Sequence, residues 1–195
     1  MSKNTIAPHV ELHPHTIKHM KNGHPWVIKD SFTEKFPKRS PLIIGLNHKK
    51  EGQFLFINDP GHSSIKARLW KSGELCKRDC REFWVECEKR IKKSFKYRLN
   101  TTFIEIRDNF YLVFGEGDSL PGLFVQKLGH KILIQYYSEF WGLYETKLLP
   151  ILVAVYRDLF DITPETQFFI QERVSSKKIN FKIFNLKKYK ILDLK

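Results

Sequence analysis

The sequence has little cysteine, no long apolar run and almost no glycine in its last third, and each shortage removes a class of function. Three Cys (Cys76, Cys80 and Cys87) are an odd count in 195 residues, so no complete disulfide framework can be built. Their spacings of four and seven leave a structural zinc site without a fourth ligand, so they read as intracellular thiols. The longest apolar stretch, Leu148 to Tyr156, is nine residues interrupted by Pro150, against the roughly 20 needed to span a bilayer. The chain opens on Ser2, Lys3 and Asn4, with no apolar stretch of signal-peptide length. These shortages predict a soluble, cytoplasmic, reduced protein with no membrane partner.

Positive charge is what the sequence has in excess. Lys+Arg number 34 against 21 Asp+Glu, a net +13, while 42% hydrophobic and 14% aromatic residues are enough for a packed core. Such an excess points to a polyanionic partner, nucleic acid first and a membrane surface second. Its distribution is uneven: residues 1–75 carry net +6, 76–100 net +5, 101–174 net −4 and 175–195 net +6. This asymmetry suggests at least two units with different jobs.

Turn chemistry and periodicity place the elements. His9–Leu12, Pro25–Lys29, Pro41–Asn47, Gln53–Asn58 and Ile65–Trp70 read as strands, and Thr16–Lys21 as one or two helical turns ended by Asn22-Gly23. Asp59-Pro60-Gly61 is a turn. Five strands and a short helix over residues 1–75 predict a small β-barrel. Residues 79–98 read as a helix with Trp84, Cys87, Ile91 and Phe95 on one face and Lys89, Arg90, Lys92, Lys93 and Lys96 over much of the rest. Those cations are either a solvated face or a phosphate-tracking surface. Phe103–Arg107, Tyr111–Phe114, Leu123–Leu128 and Lys131–Tyr137 read as strands, Glu139–Phe160 as a helix that Pro150 kinks or breaks, and Phe168–Gln171 as a further strand. The fold class is therefore mixed β and α+β: a barrel over 1–75, a basic connecting helix over 76–100, a compact α+β domain over 101–185, and a Lys-rich tail over 186–195. After Ser175 the chain forms either a last hairpin or a loose end.

Three constellations could carry chemistry. In Lys21-Asn22-Gly23-His24-Pro25-Trp26-Val27, Gly23 permits a strained turn after the helix and Pro25 forces His24 toward extended geometry. The stretch is either a structural corner or one where Lys18, Lys21 and His24 present donors to an RNA backbone. His9, His13, His15, His19 and His24 include two i,i+4 pairs. Pro14 and a strand at His9–Leu12 argue against shared helical faces, so no metal site is expected. Gly115-Glu116-Gly117-Asp118-Ser119-Leu120-Pro121-Gly122 looks like a phosphate cradle. Its two carboxylates would repel phosphate, and a strand follows in place of an anion-binding helix N-terminus, so a hairpin-type loop fits better.

These residues carry a resemblance. Lys21 to Val27 is similar to K-x-G-H-P-W-V, and Asn58-Asp59-Pro60-Gly61-His62-Ser63-Ser64-Ile65-Lys66-Ala67-Arg68-Leu69 to N-P-x-S-x-I-x-x-R-L, with an insertion-like difference at Gly61-His62. Gly115 to Val125 is similar to G-E-G-D-x-L-P-G-L-x-V, and Glu172-Arg173 to a later E-R. Together they resemble, over about residues 8–174, the N-terminal half of the bacterial class I S-adenosylmethionine-dependent methyltransferases that modify cytosine C5 in large-subunit ribosomal RNA (the RlmI-like family). The resemblance implies a PUA domain up to about residue 75, a pseudo-barrel that binds RNA, then a central α+β domain to about 185. The RNA-binding residues are then expected to be Lys18, Lys21, Lys66 and Arg68, contacting phosphate, with Gly23, His24 and Trp26 at the corner that positions them, and the family's motif loop to be Gly115, Glu116, Gly117, Asp118, Pro121 and Gly122. A Rossmann-like catalytic domain should follow, with a glycine-rich loop for S-adenosylmethionine and a nucleophilic Cys. Here the only glycine after residue 130 is Gly142, the three Cys precede the central domain, and Tyr111 stands where the family often has Arg.

The expectation is thus a truncated family member that binds RNA, ribosomal by the resemblance, with no cofactor and no catalysis of its own. A second reading makes it one part of a split methyltransferase whose catalytic domain is a separate chain. A third makes it an interaction module whose apolar central-domain face self-associates.

Overall fold

The computed structural model describes residues 7–47, 49, 52–73, 80–101, 108–174 and 180–184. It is a mixed α/β protein with two five-stranded sheets and, among the described residues, four α-helices. Compactness divides the chain between Glu86 and Cys87. The expected strand at Phe103–Arg107, Cys76 and the tail from Asn185 lie outside the described residues.

The first sheet contains β1 (His9–Glu11), β2 (Trp26–Ile28), β3 (Leu42–Leu46), β4 (Gly52–Asn58) and β5 (Ile65–Ser72), in the order β1-β3-β4-β5-β2. Only β1 and β3 run parallel. Register shifts interrupt the β2–β5, β3–β4 and β4–β5 pairings, and such irregularities bend strands. The expected small barrel is instead a curled half-barrel, because β1 and β2 end the sheet on opposite sides rather than pairing. Helix α1 (Pro14–Lys21) packs Ile17 and Met20 into a core with Val27, Ile43, Phe54 and Phe56. Pro14 starts this helix at a position where the missing N–H costs nothing, and the His13 side chain caps it by accepting from the His15 N–H at 3.1 Å.

Helix α2 (Cys80–Leu99) matches the expected span within a residue. Its buried face differs: Phe83, not Trp84, continues the line through Cys87, Ile91 and Phe95. Phe83 is selected by stacking on Trp70 at 4.2 Å. In the second unit the sheet order is β10-β9-β8-β7-β6, from β6 (Asn109–Phe114), β7 (Leu123–Leu128), β8 (Lys131–Tyr136), β9 (Gln167–Glu172) and β10 (Asn180–Phe184). Strands β8 and β9 are parallel; the other pairs are antiparallel, and Asn180–Phe184, the described part of the chain after Ser175, pairs with β9. Where one long helix was expected there are two, α3 (Glu139–Leu143) and α4 (Glu145–Leu159). They separate at Tyr144 (φ −112°, ψ 23°), while Pro150 lies inside α4. Pro150 and Thr146, whose carbonyl loses a helical partner, are both exposed, so water can satisfy that oxygen. Leu148, Leu152, Val155 and Tyr156 form the buried stripe of α4, and Leu123, Val125, Ile132, Ile134, Phe168 and Ile170 the buried sheet face.

Candidate functional site

Two of the sequence motifs lie side by side in the first unit. Strand β2 pairs with β5 so that Trp26 opposes Arg68 and Val27 opposes Ala67. The corner leading to β2 is closed by backbone geometry: His24 N–H donates to the His19 carbonyl and Gly23 N–H to the Met20 carbonyl, both at 3.0 Å. That double closure is a Schellman C-cap, which needs a left-handed residue, and Gly23 has φ +85°. Nothing lies within 4 Å of where a Gly23 Cβ would sit, so the glycine is there for its conformation.

Lys18, Lys21 and His24 are exposed on this corner and Trp26 is half-buried. The His24 ring stands edge-on to Trp26 with centroids 5.8 Å apart, and its Nδ1 lies 3.1 Å from the Trp26 carbonyl. Next to them is an open depression of about 370 Å³ between α1 and β2, whose lining includes His13, His19, His24, Trp26 and Ile28 together with the charged Lys29 and Asp30. Among the described residues no three His, Cys, Asp or Glu are placed to hold a metal.

Lys66 and Arg68 sit differently from expectation. Arg68 is 3% exposed, and its Nε donates to Asp59 Oδ2 at 2.6 Å, with Asp59 fully buried. A guanidinium held there cannot meet a phosphate. It anchors the turn after β4 instead. Lys66 Nζ donates to the carbonyls of Pro60, at 3.2 Å, and His62. The His62 Nδ1 accepts from the N–H groups of Ser64 and Ile65 at 3.2 and 3.0 Å. Burial, then the nearby Arg68 charge, hold the His62 pKa below its ordinary value, although Asp59 opposes them. The N-P-x-S-x-I-x-x-R-L stretch is thus a loop tied to itself.

The glycine-rich motif is the expected hairpin connection between β6 and β7. Gly115–Asp118 forms a 3₁₀ turn followed by Ser119 at φ 58°. Asp118 receives both Arg98 η nitrogens at 2.8 Å and the Phe114 N–H at 2.6 Å. Arg90 donates to the Ser119 carbonyl at 2.6 Å, and the Trp141 indole N–H to the Pro121 carbonyl at 2.9 Å. Gly115 has φ +50°, and a Cβ on it would meet the Phe124 ring at 2.7 Å. Sequence reading missed Arg98, which lies outside the motif. At the same end of the strands, just past β9, Arg173 Nε donates to Gln171 Oε1 at 3.0 Å, and its guanidinium lies 5.9 Å over Tyr137.

The described residues do not fit S-adenosylmethionine. Their parallel crossover runs from β8 through α3 and α4 to β9. Its first turn is Tyr137-Ser138 ahead of Glu139, with no glycine to admit a ligand and a carboxylate in the first helical turn. The glycine-rich loop leads into a strand.

No family model matches the chain. It is 22% identical over 138 residues to a ribosomal RNA large subunit methyltransferase of Deinococcus radiodurans, covering 70% of this chain and 34% of that one. The fold resembles a candidate SAM-dependent methyltransferase from Streptococcus mutans with TM-score 0.68 and 12% identity, over 91% of this chain and 43% of that one. It also resembles a candidate methyltransferase crystallised with SAH, with TM-score 0.63 and 15% identity, over 87% and 40% of the two chains. The chain therefore spans less than half the length of the proteins it matches. In sequence and in fold the chain is thus similar to parts of methyltransferases.

Proposed function

We propose that this chain is the RNA-binding portion of a ribosomal RNA (cytosine-C5) methyltransferase-like protein, and that the described residues do not themselves transfer a methyl group. In this reading residues 1–75 are a PUA-like domain, 76–100 a basic connecting helix and 101–185 the family's central domain, acting in the cytoplasm. Catalysis and the SAM site are supplied from elsewhere.

The observation that carries the reading is the α1–β2 corner, where Lys18 and Lys21 are exposed on α1, exposed Lys29 follows β2, and Trp26 on β2 is half-buried. Ammonium groups on a rigid, capped corner can follow a phosphate backbone, while an aromatic beside them offers a surface for bases. Arg68 and Lys66 serve by holding the neighbouring turn. The methyltransferase-like relatives supply the ribosomal RNA.

Binding of the full chain to a large-subunit ribosomal RNA fragment, measured from low to moderate salt, tests this. Three phosphate contacts predict a slope of log K on log salt of about −3, and Lys18→Ala with Lys21→Ala should reduce its magnitude by about 2. Affinity that ignores salt, or a double variant that binds like the parent, would overturn it.

A further inference from the structure

We infer that the first turn of helix α1 is a proton-operated gate: a neutral His13 ring holds it closed, and protonation of that ring opens it. The first N–H groups of a helix need acceptors from outside it. Pro14 has no N–H, and the N–H of His15 is taken by His13 Nδ1 at 3.1 Å. The His13 carbonyl takes the Ile17 N–H, also at 3.1 Å. One residue thus closes the turn with both its ring and its backbone. The common cap residues, Ser, Thr, Asp and Asn, keep their acceptor oxygens across the neutral range. An imidazole nitrogen accepts only while it lacks a proton, and histidine ordinarily gains that proton between about pH 8 and 5. As an imidazolium, His13 turns a donor toward the His15 N–H.

The surroundings add to the cost. A cation at a helix N-terminus opposes the macrodipole, and α1 has no acid in its first turn. The His15 ring, 5.4 Å from His13, brings a second cation as it titrates. From the segment after β2, the uncharged Phe32 ring meets His13 at 5.3 Å in a T-shaped contact. His19, His24, Lys29 and Asp30 line the same depression. Of these only Asp30 favours a proton on His13, and its Oδ1 already accepts from the Phe32 and Thr33 N–H groups, both at 2.9 Å. The other end of α1 is built to ignore acid. Backbone hydrogen bonds from Gly23 and His24 close it, and the cations of its last turn, Lys18, His19 and Lys21, suit the dipole. Between the ends, Ile17 and Met20 are buried in the core. Opening therefore stops before Ile17 and displaces His13, His15 and Thr16, which line one side of the depression.

Amide hydrogen exchange of the full chain, followed residue by residue by NMR at about pH 7.5 and about pH 5.5 and corrected for the intrinsic rate, tests the gate. Protection of the His15 and Ile17 N–H groups should fall about 2- to 30-fold on acidification, the equivalent of one lost cap. Protection of the Asn22, Gly23 and His24 N–H groups should stay within about twofold, since cations favour that end. His13→Asn supplies an acceptor that does not titrate, so it should abolish the fall. His13→Ala should show the low protection already at the higher pH, with no further loss. His15→Gln removes the second ring and should keep a fall, because the cap still titrates. The gate is refuted if the His13→Asn chain loses protection as the parent does, if both ends of α1 loosen together, or if the first turn of the parent is indifferent to pH.

Discussion

Arg68 separates two accounts of the first unit, because the charge count places it on an RNA surface and the structure places it inside. Its side chain is 4% exposed and its Asp59 partner 0%, with the pair at 2.6 Å. Removing one member of such a buried pair leaves the other desolvated and unmatched, at a cost of about 3–5 kcal/mol. For a small unit unfolding in urea with a slope near 1.5 kcal/mol per molar, that moves the midpoint down by about 2–3 M. Arg68→Ala should therefore shift or abolish the first-unit transition, followed by Trp70, which is buried in that unit. The pair Arg68→Met with Asp59→Leu should recover much of the loss, since apolar replacement of a whole buried ion pair is often neutral or better. The second-unit transition should stay in place. If Arg68→Ala leaves the midpoint unchanged and lowers RNA affinity with a smaller salt slope, the guanidinium is a phosphate contact and the reasoning from burial is refuted.

The glycine-rich loop gives a paired expectation. Gly115→Ala should cost about 2–4 kcal/mol, summing left-handed backbone strain and the Phe124 clash, whereas Gly23→Ala should cost only about 1–2 kcal/mol from the strain alone; comparable losses in chemical denaturation would contradict the geometry. Asp118→Ala releases the Arg98 fork and the Phe114 N–H together, so the second unit should lose about 2–4 kcal/mol. A melting temperature within a degree or so of the parent would show that the loop does not depend on the clamp. His62 supplies a pH dependence whose sign is fixed. Its folded pKa lies below the ordinary 6.5, so the stability it contributes is complete above that value and is lost as the pH falls toward and through the folded pKa. Thermal unfolding followed downward from neutral pH should show this loss, and His62→Asn should flatten it. An unchanged profile in the variant would assign the acid sensitivity to other groups.

Backbone punctuation was legible and side-chain partnership was not. Asn22-Gly23 announced a helix end, and the Schellman closure at Gly23 is there. The alternating runs of the first sheet fell within about two residues of the observed strands, because local sterics decide such features. Asp30 and Thr33 form a reciprocal cap, with Thr33 N–H on Asp30 Oδ1 and Asp30 N–H on Thr33 Oγ1, both at 2.9 Å; their D-x-x-T spacing is a local signal of the same kind. Trp84 and Phe83 could not be told apart by periodicity, since offsets of three and four from Cys87 fall on nearly the same helical face. Only the stacking of Trp70 on Phe83, from a distant strand, settles it. The depression between α1 and β2 was invisible for a similar reason. His13, His19 and His24 were noticed as a run of histidines, but Ile28 and Asp30 join them only once β2 has folded back on α1.

Charge counted by segment misleads in a way that the contacts correct. Residues 76–100 look like a uniformly basic connector, yet Arg98 is consumed by Asp118 and Arg90 by the Ser119 carbonyl, both in the acidic middle segment. Part of the middle segment's negative charge is thus neutralised from outside its own boundaries. Lys89, Lys93 and Lys96 are exposed, and Lys92 reaches Asp158 only at 3.9 Å, a surface pairing of little energetic weight. The division of labour follows the chemistry of the two cations. Arginine's planar fork suits fixed partners at Asp59, Asp118 and Gln171, while lysine's flexible, strongly hydrated ammonium stays in water. The arginines named here hold the fold, while Lys18, Lys21 and Lys29 at the corner and Lys89, Lys93 and Lys96 of α2 stay exposed. Ammonium groups of this kind contact a nucleic acid through its backbone, with little sequence preference.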